Sequence, residues 1–155
     1  MGIVDKKEWY KLHIAKLDGW ILSLAGDQHV LGWLIIFPPV KIEGSITALS
    51  DTEIVKFKQI ATIAENLLKR TFNADWFNYT QAGNVVKNLH IHLQPRYSSD
   101  RVFENFIFKD EGWGHPIKYL PSENLPSKKL VFKIVDTLKG NLKELNIQDV
   151  EVKVL

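Results

Sequence analysis

Apolar positions along this chain fall into short β-prone runs broken by one long stretch of helical periodicity, and that pattern predicts most of the elements. Trp20 to Leu24 (WILSL) and Leu31 to Phe37 (LGWLIIF) are rich in Ile, Leu and Trp and flank the polar turn Ala25-Gly26-Asp27-Gln28, which predicts a hairpin. Pro38-Pro39 removes two successive backbone donors and ends the second strand. Ser50-Asp51-Thr52-Glu53 has the S-x-x-E form of a capping box, so a helix begins there. Ile54, Phe57, Ile60, Ala61, Ala64, Leu67 and Leu68 then recur at three- and four-residue steps, a single stripe for the core, until Thr71-Phe72-Asn73 breaks it. Trp76 to Thr80 reads as a third strand, Gln81 to Asn84 as a loop and Leu89 to Leu93 as a fourth strand. Ser127 to Leu138 reads as a second helix stopped by Gly140, although Val131, Ile134 and Val135 leave strand open.

Length and composition narrow the class without choosing a function. The 155 residues suit one domain, here expected to span 1–155, with 45% apolar and 25% charged residues as in globular proteins. Twenty basic and eighteen acidic residues are scattered, for a net charge of +2, so neither a nucleic-acid duplex nor a membrane surface is an expected partner. Cysteine is absent, which excludes disulfides, thiolate metal sites and a cysteine nucleophile. No long apolar leader or bilayer-length run occurs, so a cytoplasmic location is expected. Met1-Gly2 opens like a myristoylation signal, but Lys6 stands where that signal needs Ser or Thr.

The chemistry concentrates in Asn88-Leu89-His90-Ile91-His92-Leu93-Gln94. On a strand the side chains alternate, so Asn88, His90, His92 and Gln94 share one face and the leucines and isoleucine the other. The apolar face belongs to the core, leaving two imidazoles side by side and flanked by amides.

Gly83-Asn84-Val85-Val86, then Asn88 to His92, then Pro95-Arg96-Tyr97 closely resembles the signature of the histidine-triad (HIT) family, in which a glycine loop leads into H-x-H-x-H. The upstream hairpin with Leu31-Gly32, the Ser50 helix start and the Asn78-Tyr79 strand also follow the family's order, so the resemblance runs from about Trp20 to Ile117. It implies an α+β fold, an antiparallel sheet of about five strands with helices packed on it and the His90 strand central. It further implies a nucleotide phosphohydrolase or nucleotidyltransferase acting at an α-phosphate through a nucleotidyl-histidine, with no cofactor, a nucleotide or dinucleoside polyphosphate as substrate, and a homodimer.

Aligned on Gly83 and Pro95-Arg96, the resemblance places Asn88 at the first triad position, His90 at the nucleophile and His92 at the third. A second register reads Asn88-x-His90-x-His92-x-Gln94 as the H-x-H-x-Q of the nucleotidyltransferase branch, making His92 the nucleophile; the first is preferred because landmarks on both sides keep their spacing. Catalytic roles fall to His90 and His92, and substrate contacts to Asn84, Asn88, Gln94 and, for the ribose, Asp27. Asn88 donates a hydrogen bond but carries no proton, so a nucleotide binder without turnover is the alternative. Trp33 follows Gly32 where the family commonly has histidine. A metal site with His115 or Glu43 as third ligand is a further reading. Arg96 reads as phosphate-binding or structural, and His13, His29 and His115 carry no motif.

Overall fold

The computed structural model describes residues 3–155, so the Met1-Gly2 pair lies outside the described residues. Eight strands and two long helices are built from it: β1 (His13–Leu17), β2 (Trp20–Leu24), β3 (Leu34–Phe37), α1 (Asp51–Phe72), β4 (Trp76–Thr80), β5 (Ile91–Arg96), β6 (Arg101–Phe103), β7 (Phe106–Phe108), α2 (Lys128–Lys143) and β8 (Val152–Val154). Six of them form one sheet in the order β4-β5-β3-β2-β1-β8, antiparallel at every pairing, while β6 and β7 form a separate hairpin. The α+β class expected from the sequence is present, with six strands in the sheet rather than five. The unforeseen members, β1 and β8, are too short or too weakly patterned to stand out from sequence.

The expected hairpin forms as β2 and β3, with Ile21 opposite Phe37 and Leu24 opposite Leu34, but its second strand begins at Leu34 rather than Leu31. Its connection runs from Ala25 to Trp33 and is held from within by buried Gln28, whose amide donates to the carbonyls of Ala25 (2.8 Å) and Trp33 (3.1 Å) and accepts from Gly32 N (2.8 Å). At Gly32 φ is +81°, and an added Cβ would lie 2.8 Å from Leu68 and 2.9 Å from Phe72 of α1. Only glycine meets both demands, and it brings the loop down onto the helix.

Helix α1 starts at the capping box: the Ser50 hydroxyl accepts from Glu53 N and the Glu53 carboxylate accepts from Ser50 N. It ends on Asn73 in the left-handed region, φ 54°. Ile60, Ala61, Ala64, Leu67 and Leu68 are buried as expected, whereas Ile54 is 39% exposed and burial along the stripe begins with the partly buried Phe57. Both helices pack on one face of the sheet, where Trp20 meets Phe57 (6.0 Å between ring centroids) and Phe57 meets Tyr79 (6.2 Å). Helix α2 resolves the ambiguity of 127–138 in favour of helix, capped by Ser127, and continues through Gly140, whose Cβ position is open. No helix among the described residues is long and apolar enough to cross a membrane.

The histidine strand differs from expectation in extent and place. β5 begins at Ile91, after His90, and runs through Pro95 and Arg96; β3 begins only at Leu34, opposite Leu93, so no β3 residue faces the proline that lacks a donor. β5 is flanked on both sides but is second from the edge, not central. Upstream, Asn88 makes an isolated bridge to Glu43 and Leu89 N donates to Ile42 O (2.7 Å).

Gly32→Ala is expected to destabilise the fold by about 2–4 kcal/mol, combining a left-handed backbone with overpacking against α1. Gly140→Ala, in open space inside α2, is expected to stabilise by about 0.5–1 kcal/mol. Urea unfolding of the two variants reads both signs.

Candidate functional site

The open face of the sheet is set by the pleat. His92 is opposite Ile35 on β3 and Thr80 on β4, and Gln94 is opposite Asn78, so these residues lie on the side away from the helices. His90, on the residue before β5, joins the same surface: its ring is 5.2 Å from that of His92, edge to face, and stacks on Phe37 at 6.1 Å.

Each imidazole has one nitrogen committed to the protein, and the two commitments are of opposite kind. His90 Nδ1 lies 2.8 Å from the carbonyl oxygen of Asn88. A carbonyl only accepts, so Nδ1 carries the proton and Nε2 keeps a lone pair. His92 Nδ1 lies 3.0 Å from Trp33 Nε1. An indole only donates, so His92 Nδ1 accepts and its proton resides on Nε2. Neither Nε2 has a hydrogen-bond partner among the described residues. The pair therefore offers one lone pair and one N–H side by side. Burial, aided by the neighbouring His90, brings the His92 pKa down to about 4, so the ring stays neutral at ordinary pH.

The other residues singled out from sequence are partly gathered here. Gln94 is buried beside the pair, with Oε1 accepting from Thr80 Oγ1 (3.2 Å). Asn88 contributes its backbone carbonyl to His90, while its side chain is exposed. Asn84 is exposed on the loop that Gly83 turns with φ +71°. Asp27 is occupied elsewhere in part, Oδ1 accepting from Ile3 N (2.9 Å). Arg96 is structural: it is 3% exposed, and all five of its N–H donors have partners. Nε and Nη2 hold Asp110, Nη1 holds Asn78 and the His115 carbonyl, and Nη2 also holds the Gly112 carbonyl. Among the described residues no three His, Asp or Glu side chains come together as a metal-holding group, and His115 and Glu43 do not complete one with the pair.

Sequence reasoning missed Trp33, His29 and Tyr119 as parts of this site. Trp33 stood out only as a departure from the family pattern, although an indole beside an imidazole has a single hydrogen-bonding sense that points to its role. His29, whose Nδ1 accepts from Leu120 N (3.0 Å), packs 5.8 Å from Trp33 and 4.8 Å from Tyr119. These contacts join segments about ninety residues apart, and no local pattern carries them.

No family sequence model matches the chain, and no curated protein matches it in sequence. Solved structures do. A hypothetical histidine triad nucleotide-binding protein from Sulfolobus tokodaii strain7 superposes with a TM-score of 0.64 at 14% identity, covering 84% of this chain and 85% of that one. A histidine triad protein from Marinobacter aquaeolei VT8 gives 0.62 at 18% identity over 94% and 99% of the two chains. A zinc-bound histidine triad family protein from Mycobacterium smegmatis gives 0.58 at 13% identity over 87% and 86%. The fold is thus HIT-like: an antiparallel six-stranded sheet with its helices on one face.

Since the folded chain holds His92 at about 4 against 6.5 in an ordinary setting, the unfolded chain binds more protons between those values, and this contribution to stability is lost as pH falls from 6.5 toward 4. Trp33→Phe keeps a ring but removes the donor to Nδ1. The His92 pKa is then expected to rise by about one unit, as the loss of a hydrogen bond to the neutral form predicts. Titration of the imidazole proton resonances measures it; an unmoved His92 pKa contradicts the role given to Trp33.

Proposed function

We propose that this protein is a nucleotide-binding phosphohydrolase or nucleotidyltransferase of the HIT type, acting at a nucleotide α-phosphate with His90 as nucleophile. The observation that carries the reading is the opposed pair of imidazoles, a free lone pair at His90 Nε2 beside a free N–H at His92 Nε2. A phosphoryl centre needs both, one to attack phosphorus and one to meet the charge gathering on its oxygens. The alternative register, with His92 as nucleophile, asks for a lone pair on the nitrogen that Trp33 forces to carry a proton.

In the proposed reaction the His90 Nε2 lone pair forms a bond to the α-phosphorus while the bond from phosphorus to the leaving atom breaks, its electron pair going to that atom. His90 becomes a cationic nucleotidyl-imidazole whose Nδ1–H is held by the Asn88 carbonyl. Water or another acceptor then attacks phosphorus, the N–P bond returns its pair to Nε2, and the acceptor's proton passes to solvent. His92 donates to a phosphoryl oxygen throughout. Asn84, Asn88 and Gln94 are proposed as further phosphate contacts and Asp27, through Oδ2, as the ribose contact. The substrate is a nucleotide or dinucleoside polyphosphate. The edge strand β4, which exposes Trp76, offers its backbone for a homodimer.

A second reading, a nucleotide binder without turnover, is favoured by the residue type at 88: in the proposed register Asn88 takes the first triad position, and an amide cannot carry a proton to the leaving group. Incubation with α-labelled nucleotides and trapping in alkaline denaturant, where a phosphorus–imidazole bond survives, separates the two. A labelled adduct mapping to His90, absent in His90→Ala with nucleotide binding retained, is the expected result. His92→Ala is expected to lower the rate of adduct formation by about 10²–10³-fold, the effect of losing one charge-stabilising donor. Asn88→His is expected to raise turnover. Binding with no adduct in the native chain favours the second reading, and an adduct on His92 overturns the assignment of the nucleophile.

A further inference from the structure

Behind the indole that serves His92, three rings meet in a triangle. His29 lies 5.8 Å from Trp33 and 4.8 Å from Tyr119, and Tyr119 lies 5.9 Å from Trp33. Trp33 is 4% exposed and His29 9%, whereas Tyr119 is 71% exposed. A ring left so far in water gains little from burial, so its place against the indole depends on its backbone.

That backbone has one anchor. The buried Arg96 holds the His115 carbonyl, and the Ser127 cap begins α2. Apart from an exposed ion pair between Lys118 and nearby Glu111, the one hydrogen bond that ties residues 116–126 to the rest of the protein, among the described residues, runs from Leu120 N to His29 Nδ1 (3.0 Å). A backbone N–H only donates, so His29 Nδ1 accepts and the ring's proton resides on Nε2. A second proton has only Nδ1 to enter. It would set two donors against each other across 3.0 Å, and the bond would open.

The surroundings of His29 do little to hold such a charge. Asp27 stands two residues before it on the hairpin loop, and Lys109, Glu111 and Glu123 line with it a hollow beside β7. Glu111 is kept ionised, below the usual carboxylate range, by Lys118. No carboxylate among the described residues bonds the His29 ring. Burial holds its pKa below the ordinary 6.5, against the smaller opposing effect of the Asp27 carboxylate.

We propose that His29 is a positioning residue for the Trp33–His92 pair: its neutral ring pins Leu120, and with it Tyr119, against the indole, and uptake of a proton at Nδ1 releases that pin. The inference rests on the reaction proposed above for its consequence, since the N–H that His92 offers to phosphate depends on the aim of the indole. The released ring regains an ordinary affinity for protons while the pinned ring resists them. The pinned form is therefore fully favoured above 6.5 and loses ground as pH falls below it, by up to about tenfold per pH unit for one proton.

Hydrogen exchange of the full chain, followed without nucleotide, reads the pin directly. Protection of the Leu120 amide and of Trp33 Nε1–H, each taken relative to its intrinsic rate, is expected to be level between about pH 7 and 8 and to fall together by about tenfold per unit at lower pH. In His29→Asn the side-chain oxygen accepts in the place of Nδ1 and carries no titratable proton, so protection is expected to stay level throughout. His29→Leu lacks an acceptor and is expected to lower Leu120 protection about 10-fold at every pH. Leu120 protection that is level with pH in the native chain overturns the pin. Trp33 protection that persists while that of Leu120 falls overturns the positioning role, and a fall that survives in His29→Asn assigns the proton to another group and overturns the inference. The native chain alone decides the first two outcomes, whatever the substitutions do to folding. Because no nucleotide is present, a missing His90 adduct counts against the reaction and leaves this result standing.

Discussion

A neutral imidazole has one proton for two nitrogens, so whatever engages one nitrogen dictates the character of the other. This protein applies that constraint twice within one cluster. The Asn88 carbonyl makes His90 Nε2 an acceptor and the Trp33 indole makes His92 Nε2 a donor. The fold upstream serves to put those two partners in place. Gly32, pressed between Leu68 and Phe72 with its left-handed backbone, brings the hairpin loop onto α1, and Gln28 closes that loop on the Trp33 carbonyl. On the other side, the bridge between Asn88 and Glu43 and the bond from Leu89 N to Ile42 O fix the carbonyl that His90 needs.

The departure at Trp33 fits this arrangement. A histidine in that place has its own titration and two tautomers, and so states in which the donor to His92 is missing. Tryptophan has one polar atom and one role. Burial, aided by the neighbouring His90, holds the His92 pKa down to about 4, so the ring that Trp33 orients stays neutral. Asn88 meets His90 through its backbone carbonyl alone, and its side-chain amide carries no titratable proton.

What was legible in the sequence followed from local rules. The capping box, the stripe from Ile54 to Leu68 apart from its exposed first residue, and the alternation around His92 each express a period that one segment contains by itself, and they appear in the structure. Boundaries set by neighbours were not legible. Gly140 continues a helix because nothing crowds it, and Pro95 stays in a strand because no β3 residue lies opposite it. Arg96 invited a phosphate role, and only the folded chain brings Asp110, Gly112, His115 and Asn78 to its five donors. His29, Trp33 and Tyr119 converge from distant segments, which is why the cluster behind the indole that bonds His92 escaped a reading confined to the motif.

Long-range ¹H–¹⁵N correlation spectra of the native chain observe directly whether the two rings hold opposite tautomers. Between pH 6 and 8 His92 is expected to show the Nε2–H pattern without titrating. In the neutral form His90 shows the Nδ1–H pattern, its Nε2 nitrogen shifted as an unprotonated acceptor. Both rings in the same tautomer, or a His92 that ionises within that range, would contradict the opposed arrangement.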